Sequence, residues 1–219
     1  MIGLTGGIAS GKSTVTSRLR ALGAFVADAD EVSRSITDEP EVLSALREAF
    51  GAGIFNEDGS LNRSACAQRV FSSRERTQML NSITHPAIAK KLTELAEAAE
   101  ASGEYTAAFV DAALLIESGF YTLCSGVWLV TADTGLRIRR VMERDGLSYE
   151  EAALRISRQM PDEEKARFAT VVIENNGSLE ELIEKVDAAF AAETAAPFES
   201  GPAEDDPLFE EIRETYEEE

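Results

Sequence analysis

Eight residues near the start of the chain constrain its fold more than any others: Gly6-Gly7-Ile8-Ala9-Ser10-Gly11-Lys12-Ser13. They match the pattern G-x-x-x-x-G-K-[ST], and Ile2-Gly3-Leu4-Thr5 before them read as a short buried strand. Glycines let such a loop curl so that successive N–H groups face phosphate oxygens, and the helix beginning near Lys12 adds the positive end of its dipole. Lys12 is then expected to reach the β- and γ-phosphates, and Ser13 to ligate Mg²⁺. A chance match in a Gly/Ser turn is the competing account, and the strand-before, helix-after context argues against it. A nucleoside triphosphate ligand follows, with the fate of its phosphate open: water, a small molecule or a switch.

The rest of the chain reads as strands alternating with helical patterns. Val15, Leu19 and Leu22 recur at helical spacing up to Gly23, and Ala24–Ala27 reads as a second strand delivering Asp28-Ala29-Asp30 to its C-terminal end. Open α/β sheets bind ligands at such ends, so one of these acids is expected to serve a substrate hydroxyl while the other caps the next helix. Pro40–Phe50, Arg63–Phe71, Arg74–Ile83 and Pro86–Ala101 have helical patterns with no strand among them, an insertion of about 60 residues suited to a substrate site. His85, the only histidine, lies in it at an expected helix start beside Pro86. It reads as structural or substrate-facing.

Strand signal returns at Tyr105–Asp111, and Asp111 reads either as a Mg²⁺ neighbour complementing Ser13 or as the cap of a helix from Ala113. Val127–Thr131 is a fourth strand, with Trp128 as packing. Arg137, Arg140 and Arg144 then fall on one face of a helix, and a Ser148/Glu151 capping box opens a second helix carrying Arg155 and Arg158. This hairpin is expected to be a mobile phosphate clamp, against the alternative of a solvated charged face balanced by Glu143, Glu150 and Glu151. Val171-Val172-Ile173 is the last strand, and a Ser178/Glu181 box opens the closing helix.

Composition narrows the partners. The chain carries a net charge of −19 over 219 residues, and 193–219 holds eleven acids against Arg213 alone. So acidic a body is a poor binder of nucleic acid. Cys66 and Cys124 have no metal-ligand or disulfide spacing. No apolar run approaches the ~20 residues that span a bilayer, and the start shows no basic leader, so a cytoplasmic protein with no membrane partner is expected. The tail 193–219 is expected to be disordered, with Leu208, Phe209, Ile212 and Tyr216 open to a protein partner.

The ordered motifs resemble the dephospho-CoA kinase family over about residues 1–192. Leu4-Thr5-Gly6-Gly7-Ile8 leading into Ser10-Gly11-Lys12-Ser13-Thr14 is similar to its L-T-G-G-I-G-S-G-K-S-T, and Asp28-Ala29-Asp30 with Arg34 to its D-A-D-x-x-x-R. His85-Pro86 resembles its H-P element, Leu114–Glu117 its P-L-L-F-E segment, and Arg140–Asp145 its R-x-x-x-R-D. Gln159-Met160-Pro161 with Lys165, then Val172–Asn175, resemble its Q-M-P…K…V-I-D-N tail. Ala9 departs from a usual Gly, Ala113 from Pro, Thr170 from Asp and Arg137 from Gln, which favours Arg140 and Arg144 over Arg137.

The resemblance implies transfer of phosphate from ATP, with Mg²⁺ on Ser13, to the ribose 3′-hydroxyl of dephospho-CoA. Asp30 would be the base, with Lys12 and Arg140 at the transferring charge. The nucleotide would be held by Gly6, Gly7, Ala9, Ser10, Gly11, Lys12, Ser13, Thr14, Arg144 and Asn175, and the acceptor by Asp28, Arg34, His85 and Asp111. The expected fold is a P-loop NTPase-type α/β domain: a parallel sheet of about five strands with helices on both faces. Its core is 1–39, 103–132 and 169–192, with a substrate-binding insertion at 40–102, a lid at 133–168 and the acidic tail. Another nucleotide or small-molecule kinase would share these parts. A GTP switch would need D-x-x-G and N-K-x-D, and neither occurs; a pseudo-enzyme scaffold is opposed by intact Lys12, Ser13 and Asp30.

Overall fold

A computed structural model describes residues 1–195, and its sheet explains why the phosphate loop lies where it does. Five strands, β1 (Ile2–Gly6), β2 (Phe25–Asp28), β3 (Ala108–Asp111), β4 (Gly126–Thr131) and β5 (Val171–Glu174), form one sheet in the order β2-β3-β1-β4-β5. Every pairing is parallel. β1 is central and buried along its length, with β3 on one side and β4 on the other. The chain leaves β1 toward one edge and later returns to the opposite one, so the crevice at the end of β1 is the switch point of the sheet.

Period-two alternation sends successive side chains to opposite faces. Val26, Phe109, Trp128 and Val130 pack with Val15 and Leu19 of α1 (Lys12–Ala21), and with residues of a long C-terminal helix. Ala27, Val110 and Val127 face the other way, onto α2 (Ala29–Ile36), α3 (Pro40–Phe50), α4 (Arg63–Val70) and α5 (Arg74–Ser102). The fully buried Trp128 ring meets Phe109 edge-on, centroids 5.1 Å apart.

Three sequence expectations change. The helices expected at Arg74–Ile83 and Pro86–Ala101 are one 29-residue helix with Pro86 inside it. Pro86 removes one N–H from the ladder, but Thr84, Ile88, Leu92, Ala96 and Ala99 form a single buried stripe across it, and that stripe keeps the helix whole. No helix starts near Ala113: a turn leads into a 3₁₀ segment at Phe120–Leu123, so Asp111 is not a helix cap.

The third change is at the C-terminus. After α6 (Thr134–Asp145), α7 (Tyr149–Ser157) and the short α8 (Asp162–Lys165), the last helix, α9 (Leu179–Ala195), runs past the expected boundary at residue 192. Glu193 accepts a bond from Trp128 Nε1 at 3.3 Å, which ties that stretch to the core. The expectation of a disordered tail otherwise falls on 196–219, outside the described residues.

The hairpin α6–α7 has its own small core of Ile138, Val141, Ala152 and Ile156. Ile8 and Ala9 of the phosphate loop pack against it, so hairpin and loop share a surface. The capping box of Ser148 and Glu151 is formed as the sequence implies.

Candidate active site

The loop after β1 is shaped from outside by side chains that take its carbonyls. Arg137 Nε donates to Ile8 O at 2.9 Å, Arg140 Nη1 to Ala9 O at 3.2 Å, and Asn175 Nδ2 to Ser10 O at 2.7 Å. With three consecutive carbonyls held from α6 and from the residue after β5, the first-turn amides of α1 are left to face an anion. A Cβ on Gly7 would collide with the Arg137 guanidinium, and one on Gly11, at φ 98°, with the Asn175 amide. Those two positions must be glycine.

Ala9 breaks the same logic. Its φ is 59°, the left-handed region that favours glycine. The position where the family resemblance has Gly therefore does need a positive φ, and this chain carries the strain.

The three arginines of α6 take different places: Arg140 and Arg144 line the cavity over the loop, and Arg137 does not. Arg137 is buried beneath the loop: besides Ile8 O it donates to Asp162 Oδ2 and to Gln159 Oε1, each at 3.1 Å. Gln159 Oε1 also accepts from Ile8 N at 2.7 Å, so Arg137 and Gln159 hold both backbone polar groups of one residue, Ile8. Arg140 additionally donates to Asn175 O at 3.2 Å. Arg144 is exposed and paired with Asp145, whose carboxyl is held below the usual range by the hydrogen bond from Arg144. Of the expected cationic face, one arginine builds the loop, one joins it to the strand end, and one stands at the rim.

A cavity of about 530 Å³ lies over the loop, lined by residues 6–14, Ala113, Arg140, Arg144, Gln159 and Asn175. Every residue expected to bind nucleotide is therefore in its wall. The acceptor residues are elsewhere. Asp111 closes β3 and forms an ion pair with Lys12, and Thr16 Oγ1 lies 2.6 Å from its other oxygen. Asp28 is its register partner on β2.

Of the two acids at the end of β2, Asp28 takes the capping role. Asp28 Oδ1 accepts from Asp30 N and Glu31 N at 2.8 and 3.0 Å and caps α2. Asp30 stands exposed in the first turn. Arg34 is exposed on the same helix, its carbonyl taking a bond from Arg63 at 2.8 Å. His85 is half-buried against Phe120, ring centroids 5.2 Å apart, and burial lowers its pKa. The structure thus sets Asp28 and Asp111 on neighbouring strand ends, with Asp30 in the first turn of α2, and leaves His85 on α5, outside the cavity wall.

The donor set fits a triphosphate: a glycine-tight loop, one lysine, and Ser10 Oγ buried without a partner among the described residues. No group of three acids, cysteines or histidines suited to a metal occurs among the described residues. A magnesium ion held mainly by phosphates and water needs no such group, and the exposed Ser13 hydroxyl on the cavity wall suffices for one protein ligand. Cys66 and Cys124 are free and buried, and burial pushes the Cys124 thiol up to about 11, so neither is a nucleophile.

Comparison with known proteins agrees with this geometry. A family model described as dephospho-CoA kinase matches residues 1–181. The dephospho-CoA kinase of Geobacter sulfurreducens is 44% identical over 192 residues, 87% of this chain and 97% of the relative. That of Corynebacterium glutamicum is 44% identical over 182 residues, 83% of this chain and 93% of the relative. Among solved structures, a Thermus thermophilus protein is 40% identical with a TM-score of 0.71, covering 88% of this chain and 96% of its own. A Campylobacter jejuni dephospho-CoA kinase is 27% identical with a TM-score of 0.67, covering 89% and 96%. The chain belongs to the dephospho-CoA kinase family.

Proposed function

We propose that this protein transfers the γ-phosphoryl group of ATP to the ribose 3′-hydroxyl of dephospho-CoA, completing coenzyme A, in the cytoplasm. The observation that carries the reading is the spacing of two chemistries along the sheet. The phosphate loop follows β1 and the Asp28/Asp30 pair follows β2, with β3 and Asp111 between them. Two strand spacings put the acid roughly 10 Å from the loop, room for a terminal phosphate and an acceptor hydroxyl in line.

In this arrangement the loop amides and Lys12 bind and orient the donor phosphates, and Ser13 would hold Mg²⁺. The ion, when bound, neutralises charge on the β- and γ-oxygens. Asp30 orients the acceptor hydroxyl and receives its proton. Arg140 remains at the loop, while Arg144, at the rim and tied only to Asp145, swings from the hairpin toward the transferring charge. Arg34, His85 and the helices 40–102 bound the acceptor side.

The discriminating experiment is a panel of acceptors with ATP and Mg²⁺. Dephospho-CoA should exceed AMP and CMP in kcat/KM by about 10²-fold or more. Equal use of a simple nucleoside monophosphate would assign the chain to another nucleotide kinase reaction.

A further inference from the structure

Beneath the phosphate loop lie four ionisable side chains of alternating sign, of which the mechanism above uses none directly. Arg137 on α6 meets Asp162 at the start of α8 at 3.1 Å. Lys165, at the other end of α8, has its amine 2.8 Å from Glu117 Oε1 in the turn after β3. Lys165 is fully buried, and lysine is almost never so unless paired. Burial pushes the Asp162 carboxyl up, against the pull of Arg137 and Lys165 and with Glu163 adding to the rise. Such pairs are a weak source of stability, because apolar replacements are often as stable; what they supply is a fixed register between the segments they join.

The segments joined here each lead to the cavity over the phosphate loop. On one side α8 is bound to the loop through Asp162, Arg137 and Gln159 to Ile8. On the other, the Glu117 turn begins at Ala113, which lines the phosphate cavity and whose carbonyl accepts from Thr5 Oγ1 at 3.3 Å. Two residues before Ala113 is Asp111, the partner of Lys12. We propose that Glu117 and Lys165 are positioning residues for phosphoryl transfer, locking the 113–119 turn to α8 so that Asp111 and the acceptor wall keep a fixed placement relative to the loop.

This rests on the reading of the cavity as the transfer site. The pair acts on the turn after β3, whereas the grip of Arg137 and Gln159 on the loop backbone does not pass through it. Breaking the pair should therefore impair transfer while sparing the donor.

The test uses the full chain as Lys165→Met, Glu117→Gln and the double variant, with melting temperature, affinity for a non-hydrolysable ATP analogue, kcat and dephospho-CoA KM measured for each. The single variants, each removing one end of the ion pair, should melt lower and lose about tenfold or more in kcat/KM for the acceptor, with analogue affinity within about threefold of wild type. The double variant should recover the melting temperature but not the transfer rate. Recovery of rate together with stability would show the pair to be merely structural, and a parallel fall in analogue affinity would show general loosening; either overturns the proposal. If the single variants do not fold, the double decides alone: wild-type kcat/KM refutes positioning, and a tenfold loss supports it. A wild-type protein without turnover of dephospho-CoA would instead remove the reading of the site, and the proposal with it.

Discussion

At the scale of single residues, the account separates donor from acceptor chemistry. In the proposed reaction Lys12 would touch phosphate in the bound triphosphate and in the transition state, so Lys12→Ala should weaken ATP binding and slow transfer together. Asp30, proposed as the base on the acceptor side, would not, so Asp30→Asn should leave ATP affinity nearly intact and lower turnover by about 10²-fold, the modest end for a base in a loose phosphoryl transition state. Calorimetric ATP titration beside steady-state rates checks both; an Asp28→Asn variant more damaging than Asp30→Asn would reverse the assignment. Ala9 offers a stability test. A non-glycine residue at φ 59° carries about 1–2 kcal/mol of strain, and glycine returns about 0.5–1 kcal/mol of it as unfolded-state entropy. Ala9→Gly should therefore gain up to about 1 kcal/mol in urea unfolding. A loss would mean that the Ala9 methyl, packed on the hairpin core, outweighs the strain. The phosphate-loop residues were legible in the sequence because their pattern fixes backbone geometry locally. Arg137 was not, because 137, 140 and 144 are equivalent on a helical wheel, and only the tertiary approach of Ile8, Gln159 and Asp162 decides which is buried.

At the scale of elements, all five strands were legible, since their apolar runs end in turn residues and acids. The single α5 was not: a proline signals a boundary, and here the buried stripe from Thr84 to Ala99 overrides it. Proline in a helix interior costs about 3 kcal/mol relative to alanine. Pro86 is exposed, so Pro86→Ala removes no buried packing and should raise stability by about 1–3 kcal/mol in denaturant unfolding. No gain would show that the helix is bent at this point so that the restored N–H finds no acceptor. The helix expected from Ala113 is a turn instead, in which the successive Leu115 and Ile116 are both buried while Leu114 is 58% exposed.

At the scale of the whole molecule, the fold joins a sheet with its switch point at β1 to a hairpin that shares the loop's surface, and the dephospho-CoA kinase reading depends on both. Residues 196–219 hold ten acids against Arg213 alone and lie outside the described residues. Deleting 196–219 should leave melting temperature and turnover nearly unchanged, whereas a cut before Glu193 also removes the partner of Trp128 Nε1 and should lower the melting temperature. A large loss on the shorter deletion would show that the tail packs on the body. Phosphorus NMR of a reaction containing the full chain, ATP, Mg²⁺ and dephospho-CoA shows where the transferred phosphoryl group goes. One new ribose 3′-monophosphate resonance growing in equal amount with ADP is the predicted result; ADP formed without that resonance, or phosphate placed on another position, would contradict it.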